Sequence, residues 1–91
     1  MSILQIKPLA KSVKFQRETM WVELEDGRII GVPLAYFPRL LHATLKQREK
    51  YEMSGGGAGL HWNELDEDIS VKYLLLGIGD QTISKTKKKV A

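Results

Sequence analysis

Two segments in which apolar and polar residues alternate flank an Asp-Gly pair in the first half of the chain. They span residues 21–25 and 28–32. Alternation with a period of two is typical of a β-strand, and Asp-Gly supplies the positive φ angles of a tight hairpin turn. We therefore predict a β-hairpin with a two-residue loop, in which Leu24 faces Ile29 across the strands.

The predicted register leaves apolar side chains on both faces of the hairpin. The apolar residues of the first face, which is the better candidate for the core, are Met20, Val22, Leu24 and Ile29. Those of the second face are Trp21, Ile30 and Val32. Because the second face needs a cover from a helix or from a partner subunit, we expect a partner surface there.

After Pro33 the spacing of the apolar residues changes from that of a strand to that of a helix. The apolar positions fall at i, i+3, i+4 and i+8 and are Phe37, Leu40, Leu41 and Leu45. This pattern predicts a helix entered through Pro38. Thr44 and Gln47 have the spacing of a capping box, which predicts that a second short helix begins there.

The remaining elements are shorter. Alternation over residues 12–16 predicts a strand before the hairpin, and residues 51–53 and 60–62 predict two strands around a glycine-rich loop. Ser70 is placed to cap a short final helix that Gly77 would close. The sequence therefore predicts an α+β fold, with a small antiparallel β-sheet, a central Asp-Gly hairpin and two or three short helices.

Length and charge set the domain organisation. A chain of 91 residues has room for one domain, which we place at residues 1–77. The whole net charge of +3 comes from five residues near the C-terminus: Asp80, Lys85, Lys87, Lys88 and Lys89. Residues 1–77 are net neutral, and residues 78–91 lack a sustained apolar pattern, so we predict a flexible basic tail there.

Composition narrows the compartment and the chemistry. The chain has no cysteine, which excludes disulfides and cysteine-ligated metals and fits a cytoplasmic protein. We find no signal peptide and no apolar run long enough for a membrane span, and we predict no membrane partner.

Several separated segments resemble one bacterial family. They are residues 21–34 (WVELEDGRIIGVPL), 37–41 (FPRLL), 59–62 (GLHW), 65–71 (LDEDISV) and the pair Leu74-Leu75. In this order they resemble the family catalogued as domain of unknown function 2442, over roughly residues 10 to 77. The resemblance implies a small α+β domain with an antiparallel sheet. It also implies relatives that are joined to DNA-binding regions or are encoded in gene pairs that look like toxin and antitoxin partners.

Two segments have residue types that carry chemistry in other proteins. The glycine run at residues 55–59 lacks the following Gly-Lys-Ser/Thr of a phosphate-binding loop, so we interpret it as a turn. His61 with Glu64, Asp66 and Asp68 offers ligand types for Mg²⁺ or Mn²⁺, but the spacing matches no motif. We favour acids that precede a helix start over a site, and we expect no metal and no cofactor.

These observations favour a non-catalytic protein-interaction module, antitoxin-like or regulatory, whose partner is another protein or a second copy of the chain. The candidate interaction residues are Trp21, Ile30, Val32, Gly57, His61, Trp62, Asp66 and Asp68. One alternative is a nucleic-acid-linked regulator that uses Lys85, Lys87, Lys88 and Lys89 of the tail. Another is a small metal-dependent enzyme centred on His61 and Asp66. Core packing is the competing interpretation for both tryptophans.

Overall fold

The computed structural model describes residues 8–77, which form six strands and three short α-helices. The strands are β1 (Ala10–Gln16), β2 (Thr19–Leu24), β3 (Ile29–Pro33), β4 (Glu52–Ser54), β5 (Gly59–Trp62) and β6 (Glu67–Ser70). The helices are α1 (Pro38–Leu41), α2 (Leu45–Arg48) and α3 (Val71–Leu75), with 3₁₀ turns at Leu34–Tyr36 and Gly55–Gly57. The predicted α+β class is confirmed, and the strands form two antiparallel three-stranded sheets, in the orders β1-β2-β3 and β4-β5-β6.

The hairpin of β2 and β3 is closed by Leu24 and Arg28, so its turn has three residues, 25–27, rather than the two predicted. The Leu24 N–H donates to the Arg28 carbonyl at 2.8 Å, and the Gly27 N–H donates to the Leu24 carbonyl at 3.0 Å. Gly27 has a φ of 95°, as a type I turn followed by a glycine bulge requires. The Asp26 carboxylate accepts the Arg28 N–H at 3.0 Å and fixes the turn further.

The longer loop moves the register of β3 by one residue. Ile30 lies opposite Val22, and Val32 lies opposite Met20. The predicted register was therefore wrong, and so was the assignment of Ile30 and Val32 to the face of Trp21. The observed register directs two apolar side chains of β3 to the core, whereas the predicted one directs only one, so burial of apolar area favours the structure that forms.

The second sheet contains a strand that the sequence analysis missed. β6 pairs with β5, so that Leu60 lies opposite Ile69 and Trp62 lies opposite Glu67. We predicted that this acidic segment precedes a helix start, and a strand was not expected there because a charged residue, Glu67, stands at an inward position. Glu67 is nevertheless buried, with only 5% of its surface exposed, and its carboxylate lies 4.0 Å from Arg39 Nη1.

The two sheets share one core. Its members come from β1, β2, β3, β5, β6 and the helical segments: Ala10, Val13, Met20, Val22, Leu24, Val32, Leu34, Phe37, Leu40, Leu60, Trp62, Ile69, Val71 and Leu74. The Gly55–Gly57 turn closes one side of the core, because Gly57 is packed directly against the backbone of Ala10. Each sheet therefore has one buried face and one face directed away from the core.

The helix ends follow the predicted signals in three of four cases, and Pro38 begins α1 as predicted. Thr44 and Gln47 form the predicted capping box, and Gly77 has the positive φ of 75° that a residue closing a helix adopts. Ser70 precedes α3 as predicted, but its side chain makes no capping hydrogen bond. The predicted tail, residues 78–91, lies outside the described residues. Within residues 8–77, no helix is long and apolar enough to span a membrane.

Candidate interaction surface

Nine positions form the side of the first sheet that is directed away from the core. Cross-strand pairing sets them in three rows across β1, β2 and β3, since directly paired residues share a face. The rows are Ser12–Glu23–Ile29, Lys14–Trp21–Gly31 and Gln16–Thr19–Pro33. We call these nine positions the outer face, and Trp21 stands at its centre.

The centre of the outer face is apolar and open. Trp21 is 39% exposed, and Ile29 in the neighbouring row is 63% exposed. The six-membered ring of Trp21 lies over the backbone of Gly31, where a Cβ atom would come within 2.6 Å of Trp21 Cζ3. A glycine on the neighbouring strand thus gives the indole room to lie flat on the sheet with its other side open.

A depression of about 490 Å³ adjoins the indole. Trp21 and Ile29 are the large apolar side chains of the outer face that line it. Lys14 and Glu23 complete its charged rim. The depression therefore combines an apolar floor with one group of each charge.

The Glu23 carboxylate is partly engaged within the sheet. The hydroxyl of Ser12 donates to Glu23 Oε1 at 3.1 Å, which orients the side chain across β1 and β2. The acidic group of the outer face is thus held in place by a hydrogen bond from the neighbouring strand.

Four of the predicted interaction residues belong to the interior instead. Val32 is 6% exposed and Trp62 is 1% exposed, while Gly57 is buried and Ile30 is packed against the core from a partly buried position. The indole N–H of Trp62 donates to the Arg48 carbonyl at 2.8 Å. For Trp62, core packing was the correct interpretation.

His61 and Asp68 lie on the exposed face of the second sheet, opposite each other on β5 and β6. His61 Nδ1 is 2.6 Å from Asp68 Oδ1, and this hydrogen bond raises the pKa of His61 above its ordinary value. Glu52 on β4 is the other cross-strand neighbour of His61 and adds to the same effect. The three side chains form one row in which a cationic imidazole is favoured between two carboxylates.

Asp66 takes no part in that row. It has a φ of 52° in the turn between β5 and β6, and its carbonyl accepts a hydrogen bond from Arg39 Nη1 at 2.6 Å. His61 is thus brought to Asp68 and not to Asp66. The enzyme alternative depends on His61 and Asp66 acting together. Among residues 8–77, no group of three or more His, Asp or Glu side chains could hold a metal ion.

Two members of the outer face were not predicted from the sequence. Ile29 was assigned to the core because of the predicted register, and Lys14 was not connected to Trp21. The alternation over residues 12–16 carries a usable signal for Lys14, because Val13 pairs with the buried Val22 and Lys14 must then point the other way. The candidate lysines of the tail lie beyond the part of the chain that the structure describes.

The fold defines a small α+β protein in which two three-stranded antiparallel sheets enclose one core. The chain belongs to the family described as protein of unknown function, DUF2442, whose model matches residues 10–80. The family resemblance drawn from the sequence is confirmed. No curated protein matches the chain.

Two solved structures have the same fold. One is a protein of unknown function from Rhodospirillum rubrum, with 32% sequence identity and a TM-score of 0.73, and the match covers 84% of this chain and 94% of that chain. The other is an uncharacterised protein from Chromobacterium violaceum, with 22% identity and a TM-score of 0.72, covering 91% of this chain and 78% of that chain. Neither similarity supplies a described activity.

Proposed function

We propose that the protein is a non-catalytic protein-interaction module and that the outer face is its binding surface. The observation that supports this most directly is the position of Trp21, 39% exposed at the centre of a sheet face. Tryptophan at the centre of a surface patch is typical of residues that dominate binding energy, because it buries a large apolar area at little entropic cost.

The arrangement around Trp21 has the anatomy of an interface. The apolar centre formed by Trp21 and Ile29 is bordered by Lys14 and Glu23. In protein interfaces, apolar anchors are usually surrounded by a polar rim that stays in contact with solvent. The rim charges then determine orientation and partner choice more than affinity.

The antitoxin-like or regulatory role implied by the family resemblance is a narrower form of this proposal. It requires that the bound protein be one whose activity the module controls. A general interaction module and an antitoxin-like module would use the same surface. An experiment that tests binding at the outer face therefore bears on both.

A photoreactive amino acid at position 29 tests the proposal in the cells that make the protein. Irradiation is expected to yield a discrete crosslinked species, because Ile29 is 63% exposed beside the indole. Trp21→Glu should abolish that species by placing a charge at the centre of the surface. Leu45→Glu is the matched control, since Leu45 is 54% exposed on α2 and is not one of the nine positions of the outer face.

The circular dichroism spectrum of each variant is first compared with that of the wild type to confirm folding. If Trp21→Glu folds poorly, Trp21→Ala takes its place in the crosslinking experiment. Equal crosslinking by the wild type and both Trp21 variants would overturn the proposal. The two alternatives drawn from the sequence, a nucleic-acid-linked regulator and a metal-dependent enzyme, gain no specific observation from residues 8–77.

A further inference from the structure

We infer that the outer face binds a second copy of this chain, face to face, about a two-fold axis that passes between the two Trp21 side chains. The inference rests on the proposed function and names the partner of the same surface. Its basis is that the two charges of the outer face are arranged so that the surface is complementary to itself.

The charge arrangement follows from the pairing of the strands. Lys14 lies beside Trp21 on the neighbouring strand β1, and Glu23 lies two residues from Trp21 along β2. The two charged side chains therefore sit at a right angle about the indole, one across the strands and one along them. Both are on the same side of the sheet, since Glu23 pairs with Ser12 and Lys14 pairs with Trp21.

Consider a two-fold axis that lies in the interface and bisects this angle. Rotation about it places the direction from Trp21 to Lys14 of one copy onto the direction from Trp21 to Glu23 of the other. The Lys14 of each copy then lies opposite the Glu23 of the other, so one operation forms two identical ion pairs. The second copy's strands cross those of the first at nearly 90°, which is one of the two usual angles at which sheets pack. Such a contact is isologous and closes at two subunits, the commonest symmetry of soluble oligomers.

The apolar part of the surface fits the same arrangement. Trp21 lines the depression of about 490 Å³ and lies next to the axis, so each copy offers both an indole and the apolar floor that the other indole contacts. The axis passes over two corners of the outer face, Ser12 and Pro33. Both are uncharged, so the axis brings no like charges together. Ser12 also orients Glu23 through Oε1.

The size of the outer face sets the expected strength. Strands about 4.8 Å apart and rows about 6.8 Å apart give an area of roughly 300 Å² per copy. Stable complexes bury about 800 Å² per partner. We therefore expect a weak, concentration-dependent dimer rather than an obligate one.

Sedimentation equilibrium of the full chain, from low micromolar to about 1 mM protein, measures this association. The wild type should dimerise, and Lys14→Glu and Glu23→Lys should each weaken dimerisation by roughly tenfold, because each reversal creates two like-charge contacts. Trp21→Ala should weaken it at least as much. Leu45→Glu, which is outside the nine positions of the outer face, should leave it unchanged.

Mixing the two charge variants separates contacts between copies from contacts within one copy. The Lys14→Glu chain has acids at both charged positions of the outer face, and the Glu23→Lys chain has bases at both. An equimolar mixture should therefore form a heterodimer at least as tight as the wild-type dimer. A purely structural effect within each chain would leave the mixture as weak as its components.

A wild-type chain that stays monomeric up to about 1 mM would overturn the inference, as would a mixture that associates no better than either variant. The proposed function is tested separately from the dimer. If Trp21-dependent crosslinking to a different protein persists while the chain is monomeric, the outer face is a binding surface and the second copy is not its occupant.

Discussion

Trp21 and Gly31 are cross-strand neighbours, and the indole of the first occupies the space that a side chain at the second would need. A Cβ atom on Gly31 would lie 2.6 Å from Cζ3 and 2.9 Å from Cη2 of the Trp21 ring. Covering a strand glycine with an aromatic ring from the next strand recovers contacts that the missing side chain does not make. The ring is thus held flat against β3 while 39% of the residue stays open.

Gly31→Ala should displace the indole without unfolding the protein. The collision at 2.6 Å involves the far end of an exposed side chain, which can rotate away. The free energy of unfolding should change by less than about 1 kcal/mol, because alanine is also better suited to a strand than glycine. Quenching of tryptophan emission by acrylamide should increase. The same substitution in a Trp21→Phe background should leave quenching unchanged, and an increase there would contradict the assignment to Trp21.

The two tryptophans should differ sharply in their contribution to stability. Trp62 is 1% exposed and donates its indole N–H to the Arg48 carbonyl. Trp62→Ala should cost about 3–5 kcal/mol, close to the whole stability of a domain this small. Trp62→Phe removes the indole hydrogen bond and should cost about 1–3 kcal/mol. Trp21→Ala should cost only about 1–2 kcal/mol.

Urea unfolding of the three variants provides the comparison. A loss for Trp21→Ala as large as that for Trp62→Ala would show that Trp21 is a core residue, and the binding surface would then lose its central member.

Gly57 should tolerate no side chain. It has a φ of 109°, and a Cβ atom there would lie 2.5 Å from the backbone oxygen of Ala10, where β1 meets the Gly55–Gly57 turn. Gly57→Ala should cost at least about 3 kcal/mol, since backbone atoms rather than a flexible side chain must move. Gly56→Ala is the matched control: its φ is 68°, no atom lies within 4 Å, and the expected cost is about 1 kcal/mol. Equal thermal shifts of the two variants would contradict this account.

The His61–Asp68 hydrogen bond should make stability depend on pH. Because the bond raises the pKa of His61 in the folded state, its stabilising effect is complete below the ordinary pKa of 6.5 and is lost as the pH rises through the raised value. Asp68→Asn should bring the pKa of His61 down, as followed by NMR of the ring protons.

Asp66→Asn is the control for this titration, because Asp66 lies in the turn and it is the Asp68 carboxylate that accepts the hydrogen bond of His61. It should leave the His61 titration in place. If Asp66→Asn lowered the pKa of His61 as much as Asp68→Asn, the cross-strand pair would not be the cause.

Local signals in the sequence were sufficient for several elements. The spacing of Thr44 and Gln47 predicted the capping box, and Gly77 predicted the end of α3. These features depend on a few neighbouring residues, whose backbone and side chains satisfy each other's hydrogen bonds. The alternation around Asp26-Gly27 likewise predicted two strands but not their register.

The register and the second sheet could not be read in this way, because both depend on distant packing. Asp-Gly favours a two-residue loop but also fits a three-residue loop with glycine at its end, and the choice is made by the packing of Ile30 and Val32 against the core. β6 was hidden because Glu67, a charged residue, occupies an inward position. The members of the outer face could be assigned only once the register was known. The predicted register had placed Ile29 on the core face, and Ile30 and Val32 on the face of Trp21.

Fluorine NMR of the protein labelled with 5-fluorotryptophan tests the central claim most directly, because the chain contains only two tryptophans, Trp21 and Trp62. Spectra of the purified protein, dilute and concentrated, are compared with spectra in extract of the cells that make it, and Trp21→Phe assigns the two signals. The account predicts that the Trp21 signal shifts or broadens on association while the Trp62 signal stays in place. A Trp21 signal that is unchanged under every condition would contradict the claim that the outer face binds a protein.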